Sequence, residues 1–259
     1  MINLIFEKIT DTLNCNVNNI WENEIKPADY YDTLSKTQFD KYVSLFHKDY
    51  KTVNLISQFS WMKEASDLNN LTGTVSKLFD DEINKLPIEN SFDGNPYFVR
   101  TNNVSLKTGL FGAGPFYTLK EVVIGIITSS VSHDPLNGSG IYYLLKWVDL
   151  VYFLEFRVFV YSGNITAISQ QHLYETPKTQ IVNEFYILRI VEFYKTIVKN
   201  RIKLDTYSFD VGFTSDDNIY FIECNCFGAS YAAGSGLFHW IDDSDILKGN
   251  GSTIVVRFR

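Results

Sequence analysis

An aspartate, a glutamate and an asparagine stand at the ends of two short apolar segments. Asp210 lies in Phe209-Asp210-Val211-Gly212; Glu223 and Asn225 lie in Tyr220-Phe221-Ile222-Glu223-Cys224-Asn225. Side chains two apart on a strand share a face, so Glu223 and Asn225 aim together while Cys224 turns away. If Thr214-Ser215-Asp216-Asp217-Asn218 closes a hairpin, Asp210, thirteen residues before Glu223, comes alongside. Three hard oxygen side chains then converge. That donor set suits Mg²⁺ held by a few protein oxygens together with nucleotide phosphates. The plainer reading makes the acids solvated turn residues, but a Glu inside Phe-Ile-Glu-Cys-Asn is unusual for a plain strand.

Cations recur inside other apolar segments: Arg100 in Tyr-Phe-Val-Arg-Thr, Lys107 in Val-Ser-Leu-Lys-Thr-Gly, Lys146 in Leu-Leu-Lys-Trp and Arg157 in Glu-Phe-Arg-Val-Phe. A single strand cation ordinarily faces solvent. Four of them beside a carboxylate–amide cluster point to a polyphosphate cradle. Arg clamps a phosphate with two parallel hydrogen bonds, and Lys adds a mobile point charge. Gly109, Gly112 and Gly114 read equally as a flexible flap over phosphates or as a plain surface loop. There is no Walker-type Gly-x-x-x-x-Gly-Lys-Ser/Thr, no Gly-x-Gly-x-x-Gly and no kinase-like catalytic loop, so a nucleotide would sit on another fold.

The elements that must position these groups alternate irregularly. Residues 37–46 space Phe39, Tyr42, Val43 and Phe46 like a core-facing helical stripe. After Gly73, residues 74–86 read as a helix with Val75, Leu78, Phe79, Ile83 and Leu86 on one side, stopped by Pro87. Residues 96–101 form a strand. Thr118 and Glu121 make a capping box that opens a helix to about Val131. A turn is expected at 137–140 and strands at 141–147 and 155–161. Gly163-Asn164 then reverses the chain into a strand at 165–170. Residues 183–199 read as a helix with Phe185, Leu188, Val191, Ile197 and Val198 near one face, and 234–240 as a glycine turn followed by a short helix. Strands and helices without a regular βαβ rhythm predict an α+β fold.

The chain has 259 residues, enough for one large domain or two intimate ones. Its formal charge of -7 argues against sequence-independent nucleic-acid binding, which needs a basic face. No apolar run is long enough to span a bilayer. The opening Met-Ile-Asn-Leu-Ile-Phe-Glu carries an acid early and lacks the basic region of a signal peptide. Cys15, Cys224 and Cys226 make no disulfide framework. The Cys-x-Cys pair reads as ordinary packing, and a reducing cytoplasmic setting is expected.

Five blocks, in order, give the chain a family likeness: Phe98-Val99-Arg100 through Ser105-Leu106-Lys107; Leu145-Lys146-Trp147 through Glu155-Phe156-Arg157-Val158-Phe159-Val160; Ala167-Ile168-Ser169-Gln170; Phe209-Asp210-Val211 with Ile222-Glu223-Cys224-Asn225-Cys226-Phe227-Gly228; and Leu237-Phe238-His239-Trp240. Over about residues 74–242 the chain resembles the cell-division-cycle protein 123 family, a divergent branch of the ATP-grasp superfamily. The resemblance implies an ATP-grasp fold of two α+β subdomains with the nucleotide between them. It divides the chain into an N-terminal extension (1–72), a small subdomain (73–143) and a C-terminal subdomain (144–259). It places Arg100, Lys107 and Arg157 on phosphate, as catalytic cations. Leu145, Lys146, Trp147 and Glu155 fall in the nucleotide site, and Asp210, Glu223 and Asn225 hold Mg²⁺. Arg100 replaces a usual Lys; Leu106 and Thr108 depart from the family's Ser-x-Pro-Lys/Arg-Asp motif; Glu223 replaces a frequent Asp.

ATP and Mg²⁺ are thus the implied cofactors. The superfamily's chemistry implies a ligase that activates a carboxylate as an acyl-phosphate for attack by an amine or thiol, and no residue identifies the acceptor. The family's association with assembling eukaryotic translation initiation factor 2 implies the alternative, an ATP-binding assembly factor with little or no turnover. A third reading is a structural domain with a dead site, which the retained Asp-Glu-Asn trio opposes.

Overall fold

The computed structural model describes residues 2–13, 15–16, 26–55, 59–86, 92–129, 136, 140–231 and 233–259. Pro87, the end of the helix expected to reach Val131, and residues 137–139 of the expected turn lie outside them. Nine strands are described: β1 (Asn3–Lys8), β2 (Lys51–Asn54), β3 (Tyr97–Arg100), β4 (Ile141–Lys146), β5 (Leu150–Tyr161), β6 (Asn164–Gln170), β7 (Tyr207–Thr214), β8 (Ile219–Asn225) and β9 (Thr253–Phe258). The α-helices are α1 (Tyr30–Thr37), α2 (Val43–Phe46), α3 (Met62–Thr72), α4 (Asp80–Asn84), α5 (Leu119–Thr128), α6 (Glu184–Phe193), α7 (Lys199–Arg201) and α8 (Ser244–Leu247).

The chain forms two compact units, Met1–Tyr42 with Asp149–Arg259, and Val43–Val148. These boundaries differ from the three segments expected from sequence. β1 pairs in parallel with β9, so the first residues join the C-terminal unit, and no local sequence signal reports a pairing across some 250 positions.

The first unit is a six-stranded mixed sheet in the order β1-β9-β6-β5-β7-β8. β9 runs parallel to β1 and β6, while β5 is antiparallel to both β6 and β7. Ser162 (φ 48°) and Gly163 (φ 71°) supply the two left-handed residues that a tight β5–β6 turn requires. One face of the sheet packs on α6: Phe209 stacks on Tyr194, and Phe213 meets Tyr186 and Phe156 edge-on. On the other face Phe159 contacts Phe238 and Trp240, within a cluster that includes Ala167, Cys226, Leu247 and Val255.

The second unit is a three-stranded antiparallel sheet, β2-β4-β3, with α3, α4 and α5. Its core joins Tyr97, Val99, Tyr142 and Leu144 to Val122, Val123, Ile126 and Ile127 of α5. The capping box at the start of α5 is present: Thr118 Oγ1 accepts from the Glu121 N–H (3.1 Å), and Glu121 Oε2 accepts from the Thr118 N–H (3.2 Å).

Several expected helices differ. Residues 37–46 are not one helix: Gln38 is extended (ψ 146°), so a 3₁₀ turn (Phe39–Lys41) and α2 follow α1 separately, still burying Phe39, Tyr42 and Val43. The expected 74–86 helix is a 3₁₀ turn, Lys77–Phe79, joined to α4. Ser76 Oγ accepts from the Leu78 N–H there, and Leu78 is exposed. The helix that sequence periodicity missed, α3, stops at Gly73 (φ 72°), a left-handed C-cap. After α6 a π-turn, Tyr194–Val198, adds a residue to the helical repeat. The buried stripe is Ile187, Ile190, Val191, Tyr194 and Val198, and Phe185 and Leu188 face solvent. Residues 237–240 are turns rather than a helix.

Candidate functional site

In the first unit the Asp-Glu-Asn trio forms through a β-bulge. From the turn, β7 and β8 pair Phe213 with Ile219, Gly212 with Tyr220 and Val211 with Phe221. Continued unchanged, that register would set Asp210 against Ile222 and send Glu223 to the opposite face. Ile222 is instead the extra residue of a bulge, so Asp210 pairs with Glu223 and Ser208 with Asn225. Asn225 Nδ2 lies 3.4 Å from Asp210 Oδ2 and 3.5 Å from Glu223 Oε1.

β5 brings the guanidinium to the same place, with Arg157 in register with Asp210. Arg157 Nε and Nη2 donate to the two Asp210 oxygens at 2.8 and 2.7 Å, and Nη1 donates to the Gly234 carbonyl at 2.8 Å. Nη2 is also 4.0 Å from Glu223 Oε1. The side chains of Arg157 and Asp210 retain 12% and 9% of their exposure, and that of Glu223 26%. Two carboxylates thus face one guanidinium at a nearly dry position. Burial pushes the Asp210 carboxyl up, Arg157 pulls against that, and Glu223 adds to the rise. Burial opposes the Arg157 charge, but Asp210 and then Glu223 hold its pKa above the ordinary value. With both carboxylates ionised the cluster would carry one surplus negative charge, and its oxygen donors suit a hard divalent cation. Among the described residues, no three His, Cys, Asp or Glu side chains gather as a metal site; here an amide completes the set.

Glu155 lies two residues before Arg157, paired with Gly212, and its Oε1 is 3.2 Å from His172 Nε2. Gln171 Nε2 reaches Asp210 Oδ1 at 3.5 Å. Sequence reasoning missed Gln171, His172 and the Gly234 carbonyl. They belong to loops whose approach is set by the β6–β9 and β5–β7 pairings, and no local spacing announces them.

The second unit holds the other candidates. Arg100, at the end of β3, is only 4% exposed, against the solvent-facing expectation for a lone strand cation, and its Nε donates to the Thr101 carbonyl at 3.1 Å. His47 is buried within its influence: burial and then the Arg100 charge lower the imidazole to about 4. Lys107 and Lys146 are exposed and Leu145 is buried, while the Trp147 N–H donates to the Pro96 carbonyl at 2.9 Å. The glycine loop is not free to flap at Gly109. A β-carbon there would sit 2.3 Å from the Gly125 carbonyl oxygen of α5, so the loop rests directly on helix backbone.

Residues 131–253 match the D123 family. Over those residues the chain is similar to the D123 family. Its fold is that of Cdc123 from Schizosaccharomyces pombe, at 19% identity over 88% of this chain and 98% of that one, with a TM-score of 0.58. A C-terminally truncated form of the same yeast protein matches with a TM-score of 0.56, at 19% identity over 88% and 98% of the two chains. No curated protein sequence matches the chain significantly. The D123 likeness read from the five blocks is met by that match, and the fold is of the expected α+β class, shared with the yeast Cdc123 structure. No described helix is long and apolar enough to cross a membrane.

Proposed function

We propose that this chain binds ATP with Mg²⁺. The observation that carries the reading is the cluster of two carboxylates and an amide facing one guanidinium, with a surplus negative charge at a nearly dry position. Asp210, Glu223 and Asn225 hold the cation, and Arg157 keeps Asp210 ionised and oriented toward it. The bound Mg²⁺ supplies charge neutralisation for the nucleotide phosphates. Arg100 and Lys107 contact phosphate, and Leu145, Lys146, Trp147 and Glu155 contact the nucleoside.

The proposed chemistry is ATP-dependent ligation in the cytoplasm. A substrate carboxylate attacks the γ-phosphate and releases ADP, and an amine then displaces phosphate from the acyl-phosphate. A second reading, an ATP-binding assembly factor for a translation initiation factor 2-like complex without turnover, is favoured by one observation. Arg157 commits three of its five N–H donors to Asp210 and Gly234, which suits holding a cation site more than stabilising a transferring phosphoryl.

Thermal denaturation with ATP and Mg²⁺ tests the binding. Ligand at 100 times Kd stabilises the native state by about 2.7 kcal/mol. The shift is expected to vanish in Asp210→Ala and Glu223→Ala proteins, and an undiminished shift in both rejects the metal assignment. Phosphate release stimulated by one amino-acid or protein pool supports ligation. ATP binding without release, with capture of one initiation-factor partner, supports assembly.

A further inference from the structure

The turn after β6 has an unusual geometry. His172 adopts φ 58°, a left-handed conformation that a residue with a β-carbon enters only where its surroundings hold it. Its ring lies on Tyr152 with centroids 3.8 Å apart, and the Tyr152 hydroxyl is anchored on Glu175 Oε1 at 2.5 Å. Its Nε2 meets Glu155 Oε1 at 3.2 Å. The preceding residue ties the same turn to the cation cluster: the Gln171 N–H donates to the Glu155 carbonyl (2.8 Å), and Gln171 Nε2 reaches Asp210. The strained backbone, the stacked ring and the two Gln171 contacts all serve to place one imidazole against one carboxylate.

We propose that His172 is a positioning residue that fixes Glu155 as the group reading the nucleoside half of the ligand. This rests on the nucleotide reading above and adds to it a division of labour along β5. Arg157 serves the cation and phosphate end. Glu155, two residues away on the same face, cannot serve phosphates, because like charges repel. A carboxylate accepts hydrogen bonds, and the donors on a nucleotide are its sugar hydroxyls and base amino groups. His172, donating from Nε2–H, holds one carboxylate oxygen, so the side chain, which retains 28% of its exposure, is set before ligand arrives.

The test compares ATP with inorganic tripolyphosphate, each with Mg²⁺, by calorimetric titration of the full chain. His172→Gly removes the ring and relaxes the backbone. It is expected to weaken ATP about tenfold, the worth of one ordered hydrogen bond to a charged group, and to leave tripolyphosphate unchanged. His172→Asn tolerates the left-handed backbone and restores an N–H donor, so it should recover most of the ATP affinity. Equal weakening of both ligands, undiminished ATP affinity in the glycine variant, or no recovery with asparagine overturns the inference. A wild-type chain that binds neither ligand overturns the nucleotide reading itself and this inference with it.

Discussion

Replacing Arg157 with Met keeps the length of the apolar stem and removes the guanidinium. Three hydrogen bonds are lost, two to Asp210 and one to the Gly234 carbonyl. Asp210, whose side chain is 9% exposed, is left charged beside Glu223 with no cation in contact. Breaking a buried pair from one side costs about 3–5 kcal/mol, mostly the desolvation of the abandoned charge. At this chain length that corresponds to a fall in Tm of roughly 10 °C. The loss must depend on pH. The folded-state pKa of Asp210 already stands above its unfolded value, and without Arg157 it rises further. A raised carboxyl stabilises the fold while protonated and loses that contribution as pH rises through the folded pKa. The Arg157→Met penalty should therefore be largest at pH 7.5 and shrink to about 1–2 kcal/mol near pH 4, where the abandoned carboxyl takes up a proton and only the guanidinium's hydrogen bonds are missing. Urea unfolding followed by tryptophan fluorescence at the two pH values measures this. Adding Asp210→Asn to the variant removes the abandoned charge and should restore about 2 kcal/mol or more at pH 7.5. An equal penalty at both pH values, or strictly additive single and double variants, would refute the assignment of an uncompensated charge.

Three further outcomes are expected. His47 is 8% exposed and its imidazole is lowered to about 4, so the fold favours the neutral ring. That stability is complete above the unfolded pKa near 6.5 and is lost as pH falls toward 4, by about 3 kcal/mol at most; His47→Gln should flatten this limb of the stability–pH curve. Gly109→Ala drives a methyl into the Gly125 carbonyl and should lower stability by about 1–3 kcal/mol, so a melting temperature equal to wild type would disprove the close approach. Thr118→Ala removes the oxygen that accepts from the Glu121 N–H and should cost about 1 kcal/mol, read as loss of helical signal at lower denaturant.

The strands around the site were largely legible because alternation and turn chemistry are local. Tyr97–Arg100, the β5–β6 hairpin and the β7–β8 hairpin follow from runs of apolar residues bounded by Gly, Asn and Asp. The α5 capping box was legible for the same reason. Helical stretches were misread where a single residue decides. The extended Gln38 divides one apparent stripe, Gly73 closes a helix whose apolar periodicity is weak, and α6 turns Ile187, Ile190 and Val191 inward rather than Phe185 and Leu188. Of the four basic residues grouped by composition, Arg100 is buried, Arg157 is half-buried and Lys107 and Lys146 are exposed, a distinction that alternation within short strands does not carry.

By itself the sequence determined the chemistry on offer: two acids and an amide on a hairpin, cations on neighbouring strands, and five ordered blocks that resemble one family. The register that leaves the turn, with Phe213 opposite Ile219, would put Asp210 and Glu223 on opposite faces unless the ladder is interrupted, because a strand repeats every two residues. Only the tertiary structure supplied the interruption, the bulge at Ile222. It also decided that Arg157 is held by Asp210, and that residues near the start of the chain complete the sheet beside β9. Those outcomes depend on which strand lies beside which. That pairing is settled by burying both faces of the sheet, an energy spread over the whole unit and carried by no short segment of sequence.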